Sequence, residues 1–309
     1  MNQLETPLAM IVFRRPDVTR RVFAAVAAAK PRQLFLIADG PRIDHPDESE
    51  RCEEVRKIVT AIDWPCKVEI NFAEENLGLR QRVSSGLNWV FSQVEAAIIL
   101  EDDCLPDSSF FPFCTEMLNR HADHHQVALV SGFNPLEKSF PFRFSYYFSL
   151  PNSLSIWGWA TWRRAWQEFD GPMSSWPDVK EAGLLQALFP DKKVVDYWTA
   201  VFDSMYFNSG PSSWAYRWVY TCWVRNWLSV VPSRNLIQNI GFGSDATHTV
   251  SPYPDCDLSA GPIHFPLQHP PAITAWHSYA MKAQRRFYAP SIPLRIRRKI
   301  LKKLQSNRL

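Results

Sequence analysis

Residues 96–106 read Ala-Ala-Ile-Ile-Leu-Glu-Asp-Asp-Cys-Leu-Pro. A short apolar run ends abruptly in three carboxylates. The run has the length of one buried strand of a parallel sheet, which needs no polar alternation because both faces are covered. Glu101, Asp102 and Asp103 then fall at the strand's carboxyl end, where open α/β sheets bind ligands. Carboxylates crowded at one point repel one another unless a positive charge sits among them. A hard divalent cation, Mg²⁺ or Mn²⁺, shared with substrate phosphates, is the usual remedy. The competing reading is a solvated acidic turn.

Working outward, the first 130 residues alternate strand and helix. Strands are expected at Leu8–Phe13, Gln33–Ala38, Lys67–Phe72, Ala97–Leu100 and Gln126–Ser131. Helical spacing covers Asp17–Ala29, Glu48–Ile62, Gly78–Phe91 and Phe110–Arg120. Strands separated by helical patterns mean βαβ units and a mostly parallel sheet. The first strand runs into Phe13-Arg14-Arg15-Pro16, with no GxGxxG and no GxxxxGK[ST], so neither a dinucleotide fingerprint nor a P-loop is present. Past residue 132 periodicity weakens, and Gly, Pro and aromatics become dense. No linker or repeat interrupts the chain. The expected architecture is one α/β domain over residues 1–284, with a nucleotide-binding half (1–131), an acceptor half (132–284) and a basic tail (285–309).

The chain has 309 residues, 46% hydrophobic and 21% charged, an ordinary globular balance. Thirteen Trp, twenty Phe and nine Tyr are unusually many, and serve either an aromatic core or sugar-stacking walls. Six cysteines form no CxxC or regular framework, which fits reduced thiols in a cytosolic protein. An apolar strand beginning at Pro7 leaves no room for a targeting segment, and no run of 18 apolar residues could span a membrane. The net charge of +3 hides an asymmetry: residues 285–309 carry nine Arg and Lys and no acid, so the rest is acidic at −6. In the tail, Pro293 opens a segment in which Ile296, Ile300, Leu301 and Leu304 share one face. That pattern suits a helix lying on an anionic membrane through residues 292–309, or a basic terminal helix packed on the domain. The acidic body argues against nucleic acid.

The order of pieces resembles a GT-A glycosyltransferase, a Rossmann-like mixed sheet flanked by helices. More narrowly it resembles the N-acetylglucosaminyltransferase I family (glycosyltransferase family 13) and related bacterial glycosyltransferases. Five stretches carry the resemblance: Leu8–Arg21, Phe35–Gly40, Ala97–Asp103 with Asp107 and Phe110-Phe111, Gly158–Trp162, and Ser213–Trp218 with Val231–Arg234 and Asn239–Gly243. The resemblance implies a metal-dependent, inverting transfer of a sugar from a nucleotide diphosphate, most readily a UDP-sugar, to a glycan or lipid-linked glycan. It implies Asp103 as the metal ligand, with Asp102 and Glu101 beside it. Asp39 would contact the nucleotide base, Arg15 the nucleotide, and Arg82 the diphosphate; His248, read from its own loop, is a candidate contact to the diphosphate or the metal. Taken singly, Asp39 also reads as a turn-capping acid, Arg15 and Arg82 as surface ion-pair partners, and His248 as a solvated loop residue.

Inverting transfer needs a carboxylate to take the acceptor hydroxyl's proton, worth about 10²–10⁴-fold in rate. The resemblance places that acid after Trp214, where this chain has Ala215. An engineered substitution, an inactive relative, or another base such as Asp203 or Asp245 would each account for it. The intact surroundings favour the first. Asp245 and His248 lie in a Gly-bearing loop suited to covering the donor. Trp159, Trp214 and Trp218 are candidate acceptor walls, with Trp157 and Trp162 in reserve. A non-catalytic glycan-binding pseudoenzyme and a metal-dependent nucleotidyltransferase are the rival readings. The expected location is cytoplasmic, peripheral to the inner membrane face.

Overall fold

The computed structural model describes residues 3–139, 143–210, 213–242 and 259–288. The first half contains β1 (Leu8–Val12), α1 (Pro16–Ala29), β2 (Gln33–Ala38), α2 (Asp47–Thr60), β3 (Lys67–Phe72), α3 (Leu79–Phe91) and β4 (Ala96–Glu101). It continues through β5 (Cys104–Pro106), α4 (Phe110–Arg120) and β6 (Val127–Ser131). The second half adds β7 (Tyr146–Ser149), β8 (Trp159–Trp162), α5 (Arg163–Trp166), α6 (Trp176–Glu181) and α7 (Leu184–Leu188). It closes with α8 (Lys192–Tyr206), α9 (Trp214–Val224), β9 (Leu228–Pro232), β10 (Ile237–Asn239) and α10 (His277–Phe287).

One eight-stranded sheet runs through both halves in the order β3-β2-β1-β4-β8-β6-β9-β7. β1, β2, β3 and β4 are mutually parallel, with Leu8 beside both Leu34 and Ile98. The buried runs LAMIV and QLFLIA explain why: each βα crossover covers a face, so every residue of β1 is buried. β8 enters antiparallel between β4 and β6, β9 lies parallel to β6, and β7 closes the edge antiparallel to β9. The sheet is therefore mixed and mostly parallel, with helices packed against it.

This topology fixes where a ligand can bind. From β1 the chain winds outward through β2 to β3, then returns to place β4 on the other side of β1. Loops leaving the carboxyl ends of β1 and β4 diverge, and the crevice between them is the switch point of an open α/β sheet. The loop after β1 is Phe13-Arg14-Arg15; β4 ends in Glu101, followed at once by Asp102 and Asp103. A short antiparallel ladder of β10 on β5, with Asn239 opposite Cys104, brings residues 240–242 over this crevice.

Candidate active site

The positive charge expected among the carboxylates is supplied by the chain itself. Arg15, projecting from the β1 loop, pairs through Nη2 with Asp102 Oδ1 and, at 2.9 Å, with Asp103 Oδ2. Burial works against the guanidinium's charge, but Asp102 and Asp103 outweigh it and hold Arg15 above its usual range. One guanidinium serves three carboxyl groups. Glu101 has no hydrogen-bond or ion-pair partner among the described residues, and burial, then Asp103 and Asp102, push it up to about 8 against the pull of Arg15. Asp102 is 4% exposed and likewise shifted upward, chiefly by burial, and its Oδ2 has no hydrogen-bond partner.

The start of the glycine-bearing loop, expected to cover the donor, closes this cluster. Ile240 donates its backbone N–H to the Asp103 carbonyl at 2.8 Å, and Arg15 Nη1 reaches the Gly241 carbonyl at 3.5 Å. A Cβ at Gly241 would overlap Asp103 Oδ2 and come within 2.6 Å of Arg15 Nη1, so glycine lets the segment after β10 approach this closely. The glycines suggested a cover over the donor; that Gly241 approaches Asp103 and Arg15 in particular was not readable from them. Phe242 then packs edge-on against Trp157 at 6.1 Å. Asp245 and His248, further along the same loop, lie outside the described residues, as do residues 289–309 of the basic tail.

The carboxylates fit a hard divalent ion in part. Asp103 and the unpartnered Oδ2 of Asp102 are two suitable oxygens, and phosphate oxygens and water would have to complete the shell. Among the described residues no group of three or more His, Cys, Asp or Glu is arranged to hold a metal by itself.

Asp39 and Arg82 belong to a separate arrangement. Asp39, at the end of β2, accepts from the backbone N–H groups of Gly40, Leu77 and Gly78 at 2.9–3.0 Å and from Asn76 Nδ2 at 3.2 Å. Its carboxylate caps the turn that opens α3, the role a turn aspartate commonly takes. Arg82, 5% exposed, donates to the Asn71 carbonyl and, at 2.8 Å, to Asn71 Oδ1 at the end of β3. The charges acting on it are Asp39 and Arg56, while burial lowers its pKa. The structure thus brings Arg15, Glu101, Asp102 and Asp103 together and leaves Arg82 bracing β3.

The tryptophan wall needs correction. Trp159, Trp214 and Trp218 are 0%, 1% and 0% exposed. Trp159 stacks on Trp214 at 5.7 Å and tilts against Trp218 at 6.0 Å, and Trp166 and Phe169 extend the cluster. No ring face remains for a sugar; these side chains are core. They still fix one useful position. Trp159 pairs in register with Ile99, two residues before Glu101, so Trp214 anchors the first turn of α9, with half-buried Ala215, near the carboxyl end of β4. Asp203 is committed elsewhere: Lys180 Nζ bonds both its oxygens at 2.8 Å and Trp176 Nε1 bonds one at 2.9 Å. Burial favours its neutral form, but those hydrogen bonds and the Lys180 charge prevail and hold it below the usual carboxylate range.

No protein-family model and no characterised protein matches this chain in sequence. Solved structures match over part of it. One is 4-diphosphocytidyl-2C-methyl-D-erythritol synthase from Anaerococcus prevotii: 11% identity over 52% of this chain and 71% of that one, TM-score 0.32. Another is UDP-glucose pyrophosphorylase complexed with UDP-glucose: 12% identity over 47% of this chain and 62% of that one, less than two thirds of its length, TM-score 0.24. These superpositions are too partial to carry function. The α/β assignment rests on this chain's own strand order. No helix among the described residues is long and apolar enough to cross a membrane.

Proposed function

We propose that this chain is an enzyme acting on a nucleotide-sugar, and more specifically a metal-dependent glycosyltransferase that binds its donor diphosphate between the β1 loop and the end of β4. The observation that carries this reading is the cluster of Glu101, Asp102 and Asp103 facing Arg15 at the switch point. A diphosphate leaving group gains charge as the sugar departs. A guanidinium held at the crevice mouth, with Nη2 shared between two carboxylates, can exchange one of them for a phosphate oxygen. Asp103, with Asp102 beside it, would hold Mn²⁺ or Mg²⁺. The ion, when bound, would supply Lewis-acid stabilisation of the leaving phosphates. Gly241 keeps the covering segment close enough to exclude water from these charges, which strengthens each interaction.

Ala215 cannot accept a proton. With Asp203 held by Lys180 and Trp176, an engineered or natural loss of the base at residue 215, or Asp245 in its place, remain the two ways to read the acceptor side. The acceptor we propose is a glycan, lipid-linked where the basic tail at 292–309 meets an anionic membrane at the cytoplasmic face.

The test compares this chain with Ala215→Asp on a panel of UDP-, GDP-, CDP- and dTDP-sugars with Mn²⁺. Release of nucleoside diphosphate that rises in Ala215→Asp supports sugar transfer and a missing base. Release that is already fast and unchanged by the substitution moves the base to another residue. Formation of nucleotide-sugar from nucleoside triphosphate and sugar phosphate would instead make the chain a nucleotidyltransferase. The glycine-free Phe13-Arg14-Arg15-Pro16 loop disfavours that outcome, since no backbone cradle for a triphosphate follows β1.

A further inference from the structure

The turn after α4 carries a second constellation, unrelated to the carboxylates at β4. α4 begins beside β5 and ends at Arg120, about 16 Å further along its axis, with His121 next in the chain. Five side chains form a continuous relay there. Glu116 Oε1 lies 3.3 Å from His269 Nε2, His269 Nδ1 lies 3.2 Å from the Tyr146 hydroxyl, and that hydroxyl lies 3.4 Å from His121 Nε2. His121 Nδ1 then faces His124 Nδ1 at 3.3 Å.

The chemistry of these groups fixes the direction of the relay. An ionised carboxylate only accepts, so His269 must present Nε2–H to Glu116. Burial, then the Arg120 charge, hold His269 below the usual imidazole range despite Glu116, so its single proton is spent there and Nδ1 is an acceptor. The Tyr146 hydroxyl donates to that nitrogen and accepts from His121 Nε2–H. His121 is therefore left with a bare Nδ1 lone pair. A neutral imidazole whose far N–H is fixed by a hydrogen bond is the form that ligates metals.

The spacing of the two rings matches a shared ion. Two nitrogens at a tetrahedral Zn²⁺ with bonds of 2.0–2.1 Å are about 3.3–3.4 Å apart, and their ring centroids about 5.2 Å apart. The observed centroid separation is 5.3 Å. The turn is also built in advance: Arg164 donates to the backbone carbonyls of His121, Ala122, His124 and Val127, while its guanidinium lies 4.5 Å over the Trp162 ring. His121 is buried and His124 exposed, so the pair opens to solvent on one side.

We propose that His121 and His124 are a binding site for a borderline divalent cation, Zn²⁺ in the first instance, held by both Nδ1 atoms and completed by water. Without the ion, the same lone pair accepts the His124 Nδ1–H. Tyr146, His269 and Glu116 are positioning residues that set the tautomer of His121.

The experiment is calorimetric titration of the full chain with ZnCl₂ near neutral pH, repeated on His124→Ala, Tyr146→Phe and Asp103→Asn. The expected result is saturable binding of one ion per chain that is lost in His124→Ala, an exposed position that leaves the core intact. Tyr146→Phe should weaken it about 10–100-fold, and Asp103→Asn should leave it unchanged. Absence of saturable binding in the full chain, persistence in His124→Ala, or loss in Asp103→Asn would overturn the assignment.

Discussion

Two clusters stand within a few residues of each other in the central sheet and obey opposite rules. The tryptophans around Trp159 are fully buried and packed ring on ring, with nothing left to offer a ligand. The carboxylates around Asp103 are under-satisfied, with one guanidinium for three acids and an unpartnered Oδ2 on Asp102. The first arrangement spends its side chains on stability. The second keeps unfilled valence at a crevice and lowers stability to do so, the pattern expected of a binding site. Residue type alone does not separate the two roles, because a tryptophan serves a core or a sugar equally well. Burial and pairing do.

Substitutions should therefore act in opposite senses in the two regions. The largest effect is expected from Trp218→Ala, which should cost about 3–5 kcal/mol in urea unfolding because a fully buried ring leaves a cavity. A loss below about 1 kcal/mol would mean the tryptophan cluster can open, and would return it to the acceptor site. Arg15→Ala should cost about 3 kcal/mol by stranding the carboxylates. Added Mn²⁺ should restore part of that loss and raise Tm more than it does in the unsubstituted chain. If the ion does nothing for this variant, the carboxylates do not accept a cation. Asp39→Ala should cost about 2 kcal/mol by removing the acceptor for the Gly40 N–H after β2 and for the Leu77 and Gly78 N–H groups before α3, with nucleoside diphosphate affinity little changed. A selective loss of affinity with stability intact would make Asp39 a ligand contact. The smallest effect should be a gain. Glu101, pushed up to about 8, must take up a proton to be buried beside Asp102 and Asp103 at neutral pH; Glu101→Gln is neutral in both states, removes that cost and should add about 1 kcal/mol. A loss there would show that Glu101 has a stabilising partner.

The first half of the fold was legible in the sequence because its physics is local. Buried parallel strands read as near-unbroken apolar runs, as Gln33–Ala38 does; the edge strand Lys67–Phe72 reads by alternation and Phe110–Arg120 by helical spacing, and all three form with the expected bounds. The second half was not, because its strands are defined by distant partners. Trp159–Trp162 becomes a strand only by lying between Ala96–Ile99 and Val130–Ser131, and Leu228–Pro232 by joining β6 about a hundred residues earlier. At the site, the acidic triplet announced itself. That Arg15 would fill the space between Asp102 and Asp103 depended on β1 and β4 being neighbours, and Gly241's approach depended on the β10–β5 ladder. Neither pairing leaves a mark in residue order. Ala215 was legible only as a departure from a resembling motif, and its geometry at the first turn of α9 adds position without adding chemistry.

The central claim is that the crevice between the β1 loop and the end of β4 binds a nucleoside diphosphate together with a divalent ion. Calorimetry with UDP, GDP, CDP and dTDP, with and without Mn²⁺, on this chain and on Asp103→Ala tests it most directly. We predict that at least one diphosphate binds in a Mn²⁺-dependent manner, and that Asp103→Ala abolishes the metal dependence while the protein stays folded. Failure of every diphosphate to bind with Mn²⁺, or equal Mn²⁺-dependent affinity in Asp103→Ala, would contradict it.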